Sequence, residues 1–397
     1  MNLPPVVALE IGTTKVRALV GELTEEGQLV ISGLGECPSR GVRKGEIIDF
    51  DNALSCVREA LQQAEENGHL TINQVHLLVS GGHIRSLVNR GAVPVLNDEG
   101  EITAEEIERV EEMARAVSLP TDHEILHTIR QHFYVNDGQA VVKPEGMEGA
   151  RLALDMLILH GLRNPMRNIV KVVRSAQVDV QDVAFSGLCA ALAVLTPAEK
   201  NNGALMIDLG GGTTDYVAYA EERLADAGAF AVGGDHLSND LAFGLRIPLA
   251  EAERVKLEYG AALSDLSLRN QTVSVNPGTG QPPRMVRLAD VHTIMHVRME
   301  ETLVLIREQL RQNKLISKLG SGVVLTGGGA RLKKVDQLAE KIFGLPCRLG
   351  RPRDVNGLTL VMEQPECAAV VGMLRYAART FRPTSGIFDR LRKIVGI

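Results

Sequence analysis

Short apolar runs that end in an acid or a glycine alternate along this chain with longer segments of helical period. Residues 6–10, 15–23 and 28–34 read as three strands of a meander, joined by Gly12-Thr13-Thr14 and by Thr24-Glu25-Glu26-Gly27. Residues 51–65 place Leu54, Val57 and Leu61 on one helical face, and residues 75–79 form a buried strand that stops at Ser80-Gly81-Gly82. Asn164-Pro165 reads as the N-cap and first residue of a helix buried by Ile169, Val172 and Val173, and residues 185–192 as a further apolar helix. Residues 204–219 predict a strand, a glycine turn and a second strand, followed by Gly233-Gly234, a short helix at 238–243 and another at 250–259. Between 263 and 287 the chain is polar, with Asn276-Pro277-Gly278 and Gln281-Pro282-Pro283 as turns of a small sheet, and a long helix spans about 291–313.

Within this pattern one grammar occurs twice. Ala204 to Tyr219 reads apolar strand, Asp208, Gly210-Gly211-Gly212, Thr213-Thr214, Asp215, apolar strand, and Ala8 to Val20 repeats it as apolar strand, Glu10, Gly12, Thr13-Thr14, Lys15, apolar strand. Copies almost 200 residues apart indicate a duplicated domain rather than a solenoid. Glycines without Cβ atoms bring backbone N–H groups close to a phosphate, and Thr13, Thr14, Thr213 and Thr214 add hydroxyls. A carboxylate at the end of a buried strand needs a cation, and hydrated magnesium carried on nucleotide phosphates suits Glu10, Asp208 and Asp215. Taken alone, each turn is also compatible with an ordinary glycine-rich hairpin. Two facing hairpins imply a cleft between halves. A third cluster, Gly327, Gly328 and Gly329, follows a strand and precedes a helical pattern through Phe343, a turn suited to the ribose and adenine side of a nucleotide.

Residues 84–160 do not fit the duplicated pattern and read as an insertion with its own small sheet and one helix. That helix is marked by Thr103 as N-cap, Glu106 three residues on, and Ile107, Val110, Ala114 and Val117 on one face.

Composition narrows the class only modestly. A chain of 397 residues with 45% hydrophobic residues has room for two or more domains, and a net charge of -6 gives no general nucleic-acid footprint. Cys37, Cys56, Cys189, Cys347 and Cys367 show no metal or redox spacing and read as reduced, mostly core thiols. No signal peptide is expected, and the longest uncharged apolar stretch, 183–195, is too short to span a bilayer, so membrane contact would be peripheral. The end of the chain offers such a contact. Ile387, Phe388, Leu391, Ile394 and Val395 form one apolar stripe, with Arg390, Arg392 and Lys393 mostly off it, behind a linker at 380–386. This segment reads either as a docked core helix or as an interfacial membrane helix.

Together the glycine motifs resemble the actin, sugar kinase and heat-shock chaperone ATPase superfamily, whose phosphate-1, phosphate-2 and adenosine motifs come in this order. Within it the chain is most similar to the FtsA family of bacterial cell-division proteins. The likeness runs through Glu10 to Lys15, Cys37-Pro38-Ser39-Arg40-Gly41, Ser80-Gly81-Gly82-His83-Ile84, Gly233-Gly234, Glu251 to Lys256 and Leu325 to Ala330. The resemblance implies an α/β fold: a duplicated actin-like (ribonuclease H-like) ATPase core, two domains around a nucleotide cleft, with an inserted α+β subdomain 1C.

The implied division is 1–82, 162–198 and 366–379 for subdomain 1A, 83–161 for 1C, 199–240 and 302–365 for 2A, and 241–301 for 2B. A linker at 380–386 and a membrane-targeting helix at 387–397 complete it. ATP and Mg2+ are the implied cofactors, with Asp208 as the catalytic carboxylate and Gly12, Thr13, Thr14, Lys15, Gly210 to Thr214, Gly234 and Gly327 to Gly329 around the nucleotide. Glu253 and Lys256 would hold ribose and adenine, against the alternative of a solvated ion pair. Gly187 falls where related ATPases carry a water-orienting glutamate or glutamine, which implies slow hydrolysis.

The implied partners are the FtsZ C-terminal peptide at Arg298 and Glu301, further copies of the chain in a filament, later divisome proteins, and the inner face of the cytoplasmic membrane at the septum. Two rivals remain: a small-molecule kinase of the superfamily, which needs a substrate base beyond Asp208, and a pilus-assembly or shape-determining homologue, expected to lack this pairing of insertion and tail.

Overall fold

The computed structural model describes residues 5–24, 28–96, 99–264, 270–278 and 280–380. The predicted tail stripe, Ile387, Phe388, Leu391, Ile394 and Val395, and all but the first residue of the expected linker lie outside the described residues; Thr380 itself closes a helix.

The chain opens with β1 (Val6–Ile11), β2 (Lys15–Leu23) and β3 (Leu29–Pro38), and β3 runs past the expected end at 34 because its alternate residues Ile31 and Cys37 are buried. A small hairpin, β4 (Val42–Arg43) and β5 (Glu46–Ile47), leads to α1 (Phe50–Gly68), whose first turn is capped by the Asp49 carboxylate accepting from Asn52 N–H at 3.1 Å. Then β6 (Gln74–Val79) returns to the sheet.

The insertion follows as β7 (Arg85–Pro94), α2 (Ala104–Arg115), β8 (His123–Val135), β9 (Ala140–Val141) and β10 (Arg151–Leu162), one sheet of order β7-β10-β8-β9. The capping box read at Thr103 and Glu106 is present, with the glutamate accepting from Thr103 N–H at 3.0 Å.

Leaving the insertion, β10 passes directly into α3 (Arg163–Ser175). Its N-cap is therefore Leu162, with no side-chain cap bond, rather than Asn164. Pro165 is tolerated because the first-turn N–H groups have no helical acceptor. β11 (Asp179–Phe185), α4 (Ser186–Val194) and α5 (Pro197–Asn202) lead to the second half. There β12 (Ala204–Leu209), β13 (Thr214–Ala220) and β14 (Arg223–Phe230) precede α6 (Gly234–Leu245) and α7 (Leu249–Tyr259). The hairpin β15 (Thr272–Val275) and β16 (Arg284–Arg287) precedes the long α8 (Leu288–Gln312). Last come β17 (Val323–Thr326), α9 (Val335–Phe343), β18 (Cys347–Leu349), β19 (Val355–Gly357), α10 (Thr359–Glu363) and α11 (Ala368–Thr380).

Duplication is written in the sheets. The first has order β11-β6-β1-β2-β3-β19 and the second β14-β13-β12-β17-β18. In each, the acid-bearing strand is antiparallel to its hairpin partner and parallel to the strand on its other side: β1 with β2 and β6, β12 with β13 and β17. Each half has its own buried cluster, and the insertion a smaller one around Ile102, Val110, Leu152 and Ile158. Between the halves, α4 and α11 pack so closely that a Cβ at Gly372 would overlap the carbonyl of Cys189. An alanine has no room there.

Histidine ties the insertion to this seam. His127 of β8 accepts the Phe185 N–H on Nε2 at 3.0 Å and lies edge-on to Tyr376 of α11. Burial pushes its pKa down to about 4. Because the unfolded chain binds this proton near pH 6.5 and the folded chain only near 4, the associated stability is present above pH 6.5 and is lost as pH falls toward 4. Denaturant titrations should show roughly 2 kcal/mol less stability at pH 5 than at pH 7.5 from this group. His127→Gln should flatten that slope; an unchanged slope would place the acid sensitivity elsewhere.

Candidate functional site

Both hairpins project from the carboxyl ends of their first strands, where the buried run meets glycine. Register explains why their chemistry differs. Glu10 stands opposite Arg17 on β2, whereas Asp208 stands opposite Asp215 on β13. The first half thus carries its own cation, and the second places two acids side by side.

Arg17 is strongly committed. Its Nε donates to Glu36 at 2.5 Å and its Nη1 to the Glu366 carbonyl at 3.0 Å, leaving a long 3.5 Å contact to Glu10. Burial therefore raises the Glu10 pKa more than Arg17 lowers it. Burial, with Glu10 nearby, pushes Asp208 up to about 7, and burial with Asp208 nearby raises Asp215 well above the carboxylate range. Ser80 Oγ, at the end of β6, donates to Asp215 Oδ1 at 2.5 Å. Glu10, Asp208 and Asp215 are thus a desolvated acidic group with too little internal cation. Among the described residues no three His, Cys, Asp or Glu side chains converge closely enough to hold one ion directly. The acids therefore suit a hydrated ion approached through its waters better than a directly ligated one.

The glycines are used in three ways. Gly12 and Gly210 close their turns by donating to the carbonyls of Lys15 and Thr213, each at 3.0 Å. Gly211 and Gly212 let the hairpins touch: a Cβ at 211 would lie 2.6 Å from Thr14 Cγ2, and one at 212 would overlap Thr13 Oγ1. Gly327, at φ +82°, packs directly on the Asp208 carboxylate, and Gly329 on Leu209, while Gly328 faces open space. After them the chain makes a 3-10 turn, Gly328–Arg331, and α9 begins only at Val335 behind the left-handed Lys334. The expected helix does not grow from this glycine turn, because the backbone turns extended at Leu332 (ψ 126°) and left-handed at Lys334 (φ +61°) before α9 starts.

Helix α6 begins at Gly234, earlier than the expected 238, since Gly234 and Asp235 N–H donate to the carbonyls of Gly210 and Gly211 at 2.9 and 2.8 Å. Lys256 Nζ donates to Glu253 at 2.7 Å and to the Gly234 carbonyl at 3.2 Å, and Ser238 Oγ donates to Glu253 at 2.5 Å. This places Glu253 and Lys256 behind the second hairpin. Lys15 turns its ammonium to Glu36 at 2.8 Å, and Thr214 Oγ1 donates to the Val232 carbonyl at 2.8 Å. Thr13, Thr14 and Thr213 stay at the turns; with the Ser80 proton given to Asp215, Thr213 Oγ1 donates to Ser80 Oγ at 3.1 Å. Gly187 N–H donates to Asp215, and a Cβ there would lie 3.0 Å from Asp215 Cβ.

Arg298 grips Asp240 of α6 through Nε at 2.5 Å and Nη2 at 3.1 Å, and also reaches Glu301 at 2.9 Å. With Met299 and Thr302 it lines a small cavity under Gly210, Gly233, Gly234 and Gly329. Glu301, 57% exposed, faces outward.

Sequence reasoning assigns no role to Arg17, and Ser80 enters it only as the first residue of the stretch Ser80 to Ile84 that carries the likeness. Superposing the two copies finds Arg17, since it lies seven residues after Glu10 as Asp215 does after Asp208. Ser80 has only a weak signal, a hydroxyl between a buried strand and two glycines.

Two mirrored sheets, a hairpin at the head of each and three acids between them define an actin-like fold. Solved structures agree. A chain of a PilM-PilN type IV pilus biogenesis complex superposes with a TM-score of 0.65 at 15% identity, covering 94% of this chain and 98% of that one. MreB5 of Spiroplasma citri bound to ADP does so with a TM-score of 0.55 at 15% identity, covering 95% and 96%. At 15% identity these superpositions show the fold and do not decide between a pilus-assembly, a shape-determining and a cell-division relative.

Sequence relatives do separate them. The profile of Cell division protein FtsA matches residues 205–372, and that of the SHS2 domain inserted in FtsA matches residues 81–160. Cell division protein FtsA of Pseudomonas aeruginosa is 35% identical over 94% of this chain and 88% of its own length. That of Escherichia coli K12 is 33% identical over 94% and 90%. The chain belongs to the FtsA family.

Proposed function

We propose that this protein binds ATP with magnesium between its two hairpins and, as a cell-division protein, tethers FtsZ filaments to the inner face of the cytoplasmic membrane. The observation that carries the nucleotide reading is the desolvated group Glu10, Asp208 and Asp215 beside two glycine turns. Magnesium would supply the missing positive charge, while the chain's own residues hold the acids in place and offer backbone N–H groups to phosphate. The Spiroplasma citri MreB5 structure bound to ADP supports the same reading. Gly187 leaves no side chain beside Asp215 to orient an attacking water, which favours slow turnover and a nucleotide that acts mainly as a conformational ligand.

In this reading residues 83–161 are subdomain 1C, the two mirrored sheets belong to 1A and 2A, and 241–301 form 2B. The tail stripe at 387–395 binds the membrane at the septum, further copies assemble into a filament, and later divisome proteins are recruited to it. The FtsZ tail docks at the outer face of α8, where Glu301 is exposed beside Arg298. Because Arg298 also fastens α8 to α6, Glu301 is the cleaner probe. Glu301→Lys should weaken binding of an FtsZ tail peptide roughly tenfold, with ATP affinity and melting temperature unchanged. Equal peptide binding would move the interface elsewhere.

A further inference from the structure

Lys44 and Gly45 form the two-residue turn of the β4–β5 hairpin, at φ +54° and +78°, the left-handed pair that a type I′ turn requires. This turn is packed into the site. On one side the turn is pinned to the strand end carrying Ser80: a Cβ on the next residue, Gly45, would lie 2.5 Å from the Ser80 carbonyl oxygen. On the other, a Cβ at Gly212 would lie 2.9 Å from Lys44 N and 3.0 Å from its Cα. The backbone of Lys44 therefore touches the tip of the second hairpin, although it belongs to the first half.

Its side chain is exposed, and among the described residues no hydrogen bond or ion pair is made by its ammonium. By contrast, four other cations near the site are paired: Lys15 and Arg17 with Glu36, Lys256 with Glu253, Arg298 with Asp240. In the first turn of α6, burial and then the nearby charge of Lys44 hold His236 below the ordinary histidine range. A polyanion entering beside Glu10, Asp208 and Asp215 meets the uncommitted ammonium of Lys44 at the rim.

We propose that Lys44 contacts the terminal phosphate of a bound nucleoside triphosphate, so that the site distinguishes a triphosphate from a diphosphate. The proposal rests on the nucleotide reading above. It also gives that reading a route between halves, since the contacting residue comes from the first half and rests on the second hairpin.

The test is titration calorimetry of the full chain with magnesium and either ADP or a non-hydrolysable ATP analogue. Lys44→Met should weaken the analogue roughly 10–100-fold, as loss of one charge-assisted bond does, and leave ADP nearly unchanged. Lys44→Arg should retain most of the analogue affinity. Lys44→Gly relieves the left-handed backbone, so a selective loss there separates charge from strain. Equal weakening of both nucleotides, or no weakening in the Met and Gly variants while wild type binds, overturns the role of Lys44. If wild type binds neither nucleotide, the site reading itself fails and takes this inference with it.

Discussion

Replacing Asp208 by asparagine is expected to raise the melting temperature of the ligand-free protein while removing magnesium-dependent nucleotide binding. Asp208 is a largely desolvated carboxyl held at about 7 by burial and by Glu10, against an ordinary value of 3.8. That difference is on the order of 4 kcal/mol set against the ionised form above pH 7. The sign follows from which state holds the proton. The folded protein keeps it up to about pH 7 and the unfolded chain releases it near 4, so ligand-free stability falls as pH rises through that window. Asparagine keeps the shape, which matters because Gly327 packs directly on this side chain, and removes the buried charge. A gain of roughly 1–3 kcal/mol at pH 8 is expected, largest where wild-type Asp208 is ionised. Calorimetric titration with ATP and magnesium checks the second half of the expectation. Unchanged affinity and metal dependence in Asp208→Asn would remove Asp208 from the site.

A charge in the tail stripe should detach the protein from membranes. Ile387, Phe388, Leu391, Ile394 and Val395 offer five large apolar side chains, each contributing at most roughly 1.5–3 kcal/mol in a shallow interface. Basic residues add about 1 kcal/mol each on an anionic leaflet, partly offset by Asp389. Ordering a tail helix and immobilising the protein would cost several kcal/mol in return, so one copy is expected to bind only reversibly. Assembly changes this balance, because each further copy brings another helix at high effective concentration. Leu391→Glu should abolish cosedimentation with anionic liposomes, with or without FtsZ, and leave nucleotide affinity intact. A variant that still pellets would make the tail a packed core helix.

The sequence by itself determined the duplication, because a strand that must be buried and then yield to a phosphate turn has few ways to be written. Apolar run, acid, glycine and threonine pair are recognisable twice, and the capping box at Thr103 is equally local. Helix starts that depend on neighbours were not legible. Nothing near Gly234 announces that α6 begins there, since its first N–H groups are satisfied by Gly210 and Gly211. Nor does Asn164 reveal that β10 feeds α3 without a cap.

Only the tertiary structure decided how the site's charges are shared. Lys15 is written as a phosphate ligand by position, yet β3 brings Glu36 to it, and the same Glu36 takes most of Arg17. Lys44, in an unremarked turn of the sequence, is carried to the second hairpin by β4 and β5. Residue type and spacing set which strands and turns can form. The balance of charge in a cleft depends on which distant side chains the packing brings within a few ångströms, and no local pattern encodes that.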